Sequence, residues 1–449
     1  MAKINQGILL ITIDCGRKDS FYGHEVETPN IDRLRAEGIT FDNSFSQSST
    51  TLPSLYSLFL GQYVSSHGIL SNSYYKVLGD NSLPSLLGKT GWDCRAFAGF
   101  ELLYFTFGQD FQGNKLGIKG TRIKGWKRRM KKRLPPFLGA KIERSHFKSI
   151  RTPAQNLVRA ALKYLKDAEG KVFLWLHFFD AHMEFYAPRK WMTRYYSPPS
   201  LLHNESVYQQ LKETGVWFPE NSFGSLLKVI QDPHFYPSLY KASLSHIDEQ
   251  IGLLFDGMKG MGLDDRFFII LTSDHGENLS DHGMYCCHFK LFPTTTNVPL
   301  ILKGPDFAQN ELDELVQHID LLPTLCETLN IELPPDIDGK SLLPLITQGK
   351  RVNEYVYSEH MRLLHKMVAS KEWHYIFSDH QQKEWHGLMF EDRYLMTRET
   401  EDNRDLSNNF PEVCKEMENI AYETVRSIQA ESEDRREGLE ESLKALGYL

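Results

Sequence analysis

The chain has 449 residues, 41% apolar and 24% charged, the balance of a globular protein large enough for one big domain or two. A net charge of −7 gives no global attraction to nucleic acid, and no nucleic-acid partner is expected. The opening "MAKINQGILLIT" runs straight into an apolar strand without a cleavage-site pattern, and no apolar run reaches transmembrane length. Cys15, Cys94, Cys286, Cys287, Cys326 and Cys414 show neither a CxxC pair nor a disulfide-like spacing, which predicts a reducing compartment, the cytoplasm.

The first predicted element is the strand "GILLITID" (Gly7–Asp14), a continuous apolar stretch closed by a carboxylate, as in a strand buried on both faces of a parallel sheet. A helical pattern follows over Thr28–Gly38. Next comes "SSTTLPSLYSLFLG" (Ser48–Gly61), a hydroxyl cluster, Pro53 and an apolar helix-like run closed by Gly61. Proline pre-sets φ for a first helical turn, so Thr50 or Thr51 lies where a helix begins. A hydroxyl there is ordinarily a cap, and acquires chemistry only through partners elsewhere.

Residues Asn114–Ile150 hold thirteen Lys or Arg against one acid, with "WKRRMKKRLPPFLG" (Trp126–Gly139) at the centre. This is either a solvated insertion or, through 122–133, a surface for a polyanion or membrane headgroups. "KVFLWLHFFD" (Lys171–Asp180) repeats the strand pattern, a helix is predicted over Leu239–Gly262, and "DRFFIILTSDHGE" (Asp265–Glu277) is a third such strand. Pro334–Gly349 reads as a connection, dividing a catalytic unit at 1–345 from a smaller C-terminal subdomain at 346–449.

Strands alternating with helices predict an α/β fold with helices on both faces, and ligands sit beyond the carboxyl ends of such strands. Three strands ending in Asp, His or both would converge there. A hard divalent cation wants oxygen ligands with an occasional imidazole. Asp14, Asp274 and His275 offer these, and Thr51 could complete the sphere. A metal touching Thr51 Oγ1 would make it a nucleophile, and a positioned histidine would protonate the leaving alkoxide. His182, His282, His288 and Lys290 are candidates for that work and for holding the anionic ester; singly, each is more often structural.

These residues resemble the sulfatase-like branch of the alkaline phosphatase superfamily. The likeness runs through "LLITIDCGRKDSFYG", "TPNIDRLRAEGITFDNSFSQSSTTLPSLYSLFLGQYVSSHG", "HFFDAHMEFYAP", "IILTSDHGENLSDHG", "VPLIL" and "HIDLLPTLCETLNIELPPDIDGKSLLPLI". It implies an α/β/α sandwich on a large, mostly parallel sheet with a smaller C-terminal α+β subdomain. It implies that Asp14, Asp274 and His275 hold the metal, that Thr51 is the nucleophile position and that His182 contacts the transferred group. Counting back from Val298 favours His288 as a second contact, with Lys290 a close rival.

Three departures carry weight. Family members that act on sulfate begin with Cys or Ser in a Cys/Ser-x-Pro-Ser-Arg pattern and oxidise it to formylglycine. Here the pattern is Thr51-Leu52-Pro53-Ser54-Leu55, and a secondary alcohol cannot give that aldehyde. Leu55 replaces the arginine, leaving Lys18, Lys290 or an insertion residue to supply a cation. Cys15 stands where many relatives carry a second acidic ligand, so one metal ion is expected, Mn²⁺ or Zn²⁺ before Ca²⁺; the thiol is read as packing, with soft ligation the alternative.

The favoured expectation is a hydrolase or transferase of phosphorus esters (phosphodiester, phosphomonoester or phosphonate) using Thr51. A sulfuric ester hydrolase working without formylglycine is one alternative, and a retired enzyme serving as a binding or regulatory protein is another. The oligomeric state and the organic part of the substrate are left open.

Overall fold

The first apolar run forms β1 (Ile4–Ile13) at the centre of a seven-stranded sheet in a computed structural model of the chain. The structure describes residues 4–111 and 152–426, apart from 73–75, 101–102, 104–105, 108–109, 200–204, 306, 361–364, 379–383, 386–387, 390–392 and 399–403. The basic segment, with the contact surface predicted at 122–133, lies outside the described residues.

The other strands are β2 (Ile39–Phe45), β3 (Trp92–Ala98), β4 (Gly170–Phe178), β5 (Phe267–Ser273), β6 (Leu300–Lys303) and β7 (Asn310–Gln317). Their order is β3-β4-β1-β5-β6-β2-β7, and all run parallel except β6, which is antiparallel to β5 and β2. Successive β1 side chains enter opposite cores. Leu9, Ile11 and Ile13 pack with helices Ala154–Asp167 and Phe235–Gly260, while Ile8 and Leu10 pack with helices Thr51–Leu60 and Leu321–Leu329. This is why the strand reads as continuously apolar: neither face meets water.

Register places the site. Ile13 pairs with both Phe178 of β4 and Ser273 of β5, so the three strands end level. The next residues of each, Asp14, the turn leading to His182, and Asp274, leave the sheet side by side, as the sandwich predicts.

A second, antiparallel sheet consists of β8 (Val356–His360), β9 (His365–Ala369), β10 (Trp373–Phe377) and the strand Arg393–Thr397. One of its faces packs Val356, Met367 and Ile376 on Met284, Cys287 and Leu291 of the loop carrying His288; the other packs Tyr357, Val368 and Tyr375 on a helix at 411–426. Glu359 ties β8 to the segment before Thr51, its N–H donating to Gln47 O at 2.9 Å and its Oε2 accepting from Ser65 N at 2.8 Å.

Candidate active site

Thr51 is the first residue of helix Thr51–Leu60, and Thr50 is the cap position. The Thr50 hydroxyl does not cap the helix; it lies 3.0 Å from His360 Nδ1. Thr51 is buried and turns the other way, its Oγ1 3.4 Å from His275 Nε2. Of the two threonines at the helix start, the structure therefore brings Thr51 to the acidic cluster.

The ligand atoms of Asp14, Asp274 and His275 all lie within 4.8 Å of one another. His275 Nε2 is 4.0 Å from Asp14 Oδ1 and 3.6 Å from Asp274 Oδ2. Its Nδ1–H donates to Gly276 O at 2.9 Å, which leaves the Nε2 lone pair facing the carboxylates. A Cβ on Gly276 would sit 2.0 Å from Thr294 O, so this loop closes only with glycine there.

Burial raises both carboxyls, but for Asp14 the charge of His182 and the hydrogen bond from His177 lead the influences that outweigh it and hold the group well below the usual range. Burial and then Asp14 push Asp274 well above it. Burial also pushes His275 down to about 3, keeping the imidazole neutral. Asp274 Oδ2 is buried with no hydrogen-bond partner. Two adjacent buried carboxylates, an orphaned oxygen and a neutral imidazole fit a divalent cation, which would satisfy all of them together.

His182 and His288 stand half-buried above this floor, their ring centroids 5.5 Å apart. His182 stacks on Phe179 at 4.5 Å, and its Nδ1 is 3.3 Å from Met183 O. His288 is 4.5 Å from the His275 ring, and its Nδ1 is 3.7 Å from Glu277 Oε2. Burial works to lower His288, but Glu277 outweighs it and raises the imidazole above its ordinary value.

Other predicted residues make contacts with groups outside this cluster. Lys18 pairs with Asp42 at 3.9 Å, Lys290 lies over the Phe292 ring at 5.8 Å, and His282 stacks on that ring at 3.8 Å. Leu55 is fully buried in the core beneath the helix.

Three residues near the cluster escaped the sequence reading. Trp175 Nε1–H donates to Thr12 Oγ1 at 2.9 Å, Thr12 is 2.8 Å from His177 Nδ1, and His177 Nε2 reaches Asp14 Oδ2 at 3.4 Å. With the Thr12 hydroxyl donating to Nδ1, Nε2 carries the proton and orients Asp14. A histidine inside "FLWLHFFD" was the available signal. Glu277 sits in the quoted "SDHGE" but comes into play only through His288. His360, 310 residues from Thr50, left no local signal.

The Sulfatase family profile matches residues 6–331, and the profile for the C-terminal part of N-sulphoglucosamine sulphohydrolase matches 280–433. The chain belongs to the sulfatase family and is a sulfatase-like ester hydrolase, a family whose enzymes use a divalent metal ion. It is 26% identical over 406 residues to the multifunctional alkaline phosphatase superfamily protein PehA of Trinickia caryophylli, covering 77% of this chain and 78% of that one. It is 23% identical over 484 aligned positions to an arylsulfatase of Clostridium perfringens, covering 96% of each. Its fold is similar to that of phosphonate monoester hydrolase of Agrobacterium radiobacter, with a TM-score of 0.70 at 19% identity over 95% of this chain and 96% of that one.

Proposed function

We propose that the protein is a metal-dependent hydrolase or transferase of phosphorus esters with Thr51 Oγ1 as nucleophile. The observation behind this is the buried Thr51 hydroxyl at the helix start, 3.4 Å from Nε2 of His275, whose ligand atom lies within 4.8 Å of those of Asp14 and Asp274. A cation held by Asp14, Asp274 and His275 would supply Lewis acidity, activating a neighbouring hydroxyl and drawing charge from the ester's non-bridging oxygens. Thr51 Oγ1, its proton released to solvent on activation, forms the new bond to phosphorus as the bond to the leaving oxygen breaks. His288, whose protonated form Glu277 favours, gives its proton to that oxygen, and His182 holds the transferred group. Water or an acceptor alcohol, its proton taken by the now neutral His288, then attacks at phosphorus as the Thr51 Oγ1–P bond breaks, which needs no aldehyde hydrate.

Sulfate esters are the second reading, favoured by the likeness to the arylsulfatase across 96% of the chain. The test compares wild type with Thr51→Ala on aryl phosphate, aryl phosphodiester, aryl phosphonate and aryl sulfate, with Mn²⁺, Zn²⁺ or Ca²⁺ added back after chelation. The proposal expects metal-dependent phosphorus-ester turnover that Thr51→Ala abolishes. Dominant sulfate turnover would overturn it.

A further inference from the structure

We infer that Cys15 Sγ is itself a ligand of the metal centre and selects a thiophilic ion of the Zn²⁺ class over Ca²⁺; this rests on the ligand set proposed above. Cys15 follows Asp14 directly, and its Sγ lies 3.1 Å from Asp14 Oδ1 and 3.8 Å from His288 Nδ1. Its sulfur belongs to two groups whose ligand atoms lie within 4.8 Å of one another, one with His275 and His288 and one with Asp14 and His182. Each shares a member with the Asp14–Asp274–His275 group, so the thiol borders the carboxylate cluster on two sides.

An independent feature points to a cation at this position. Asp274 Oδ2 and both carboxylate oxygens of Glu277 are buried without a hydrogen-bond partner, and Asp274 and Glu277 are both fully enclosed. Neutral packing around a thiol would leave the Asp274 oxygen unsatisfied, whereas Glu277 has His288 beside it at 3.7 Å.

Donor chemistry then decides the ion. Ca²⁺ takes about six to eight oxygens, whereas Asp14 and His275 each have the Cys15 thiol within 4.8 Å in one group and the Asp274 carboxylate in another, a donor set that mixes sulfur, nitrogen and oxygen. Zn²⁺ accepts that mixture, and bonds of about 2.3 Å to sulfur and 2.0–2.2 Å to nitrogen or oxygen put tetrahedral ligand atoms roughly 3.3–3.7 Å apart. The separations of 3.1 Å from Cys15 to Asp14, 3.6 Å from His275 to Asp274 and 4.0 Å from His275 to Asp14 bracket that spacing. On binding, the S–H bond gives way to a metal–sulfur bond, and the proton leaves to solvent.

The full chain, stripped with a chelator under reducing conditions and reloaded with Co²⁺, reports the sulfur directly. The expected result is one bound Co²⁺ with a near-ultraviolet thiolate-to-cobalt charge-transfer band. That band should vanish in Cys15→Ser while the visible d–d bands persist, and survive in Cys286→Ser and Cys287→Ser. In competition, Cys15→Asp should move the Zn²⁺/Ca²⁺ occupancy ratio at least tenfold toward Ca²⁺. Bound Co²⁺ without the band, the band undiminished in Cys15→Ser, or no bound metal would each overturn the inference. Should Cys15→Ser fail to fold, the Cys15→Asp competition and the wild-type spectrum decide. Thr51→Ala should keep the band whichever ester is turned over, so failure of the nucleophile assignment is distinguishable from failure of this one.

Discussion

Glu277 Oε2 lies 3.7 Å from His288 Nδ1, with Glu277 enclosed and His288 reaching solvent at 17% exposure. The pair joins a buried negative charge to the imidazole assigned the leaving-group proton. Activity should therefore fall as pH rises through the His288 pKa, which Glu277 holds above the ordinary value. Glu277→Gln removes the charge and leaves the burial, which acts downward. The basic limb of the kcat/KM profile should then move to lower pH by about one unit or more, measured at saturating metal. An unmoved limb would remove His288 from the acid role.

Asp274 links metal binding to stability. Without a cation it is pushed up by burial and Asp14, so the folded protein keeps a proton that an unfolded carboxyl releases near pH 4. That contribution is complete below pH ~4 and is lost as pH rises toward the folded value. Asp14, held low, is ionised in folded and unfolded chains above about pH 5 and adds no slope there. The chelated wild type should thus lose stability relative to chelated Asp274→Asn as pH rises from about 5, a difference that cancels the buried histidines His275, His318 and His374, whose lowered values act the other way. Metal at about a hundred times its Kd should restore roughly 2.7 kcal/mol to wild type. Asp274→Asn should show no such restoration. Thermal unfolding with and without chelator checks this, and a metal-insensitive wild-type Tm would count against the ligand set.

His360 joins Glu359 in tying the small sheet to the nucleophile segment. Its Nδ1 lies 3.0 Å from Thr50 Oγ1 and 3.3 Å from Ser49 Oγ, and its Nε2 is buried without a partner. His360→Ala should lower kcat/KM about tenfold, the worth of one lost buried hydrogen bond, with metal content unchanged. His360→Gln should recover part of that loss. Kinetics paired with metal analysis tests the assignment, and equal losses in both variants would make the role one of packing.

Leu55 lies one helical turn beyond Thr51, at the position where the family resemblance leads one to expect arginine. It is fully enclosed with Leu52, Leu58 and Phe59. Leu55→Arg should place an unpaired charge in that core, destabilise the fold by roughly 3–5 kcal/mol in denaturant unfolding and give no new sulfate turnover. Unchanged stability would mean that the pocket still has room for the cation.

By itself the sequence determined the doubly covered parallel sheet and much of the cluster. Apolar runs ending in carboxylates mark strands buried on both faces, and Asp14, Asp274 and His275 stand at such ends. By local pattern Thr51 is one of two hydroxyls at a helix start, and only the family resemblance singled it out. The rest depended on groups far apart in the chain. Thr50 is taken up by His360 in a separate sheet, which leaves Thr51 to the carboxylates. His288 gains its character from Glu277, and Asp14 is oriented by His177 through a different strand. Local periodicity reports which face of an element avoids water. It does not report register, and here the shared level of Phe178, Ile13 and Ser273 brings the charges within reach of one another.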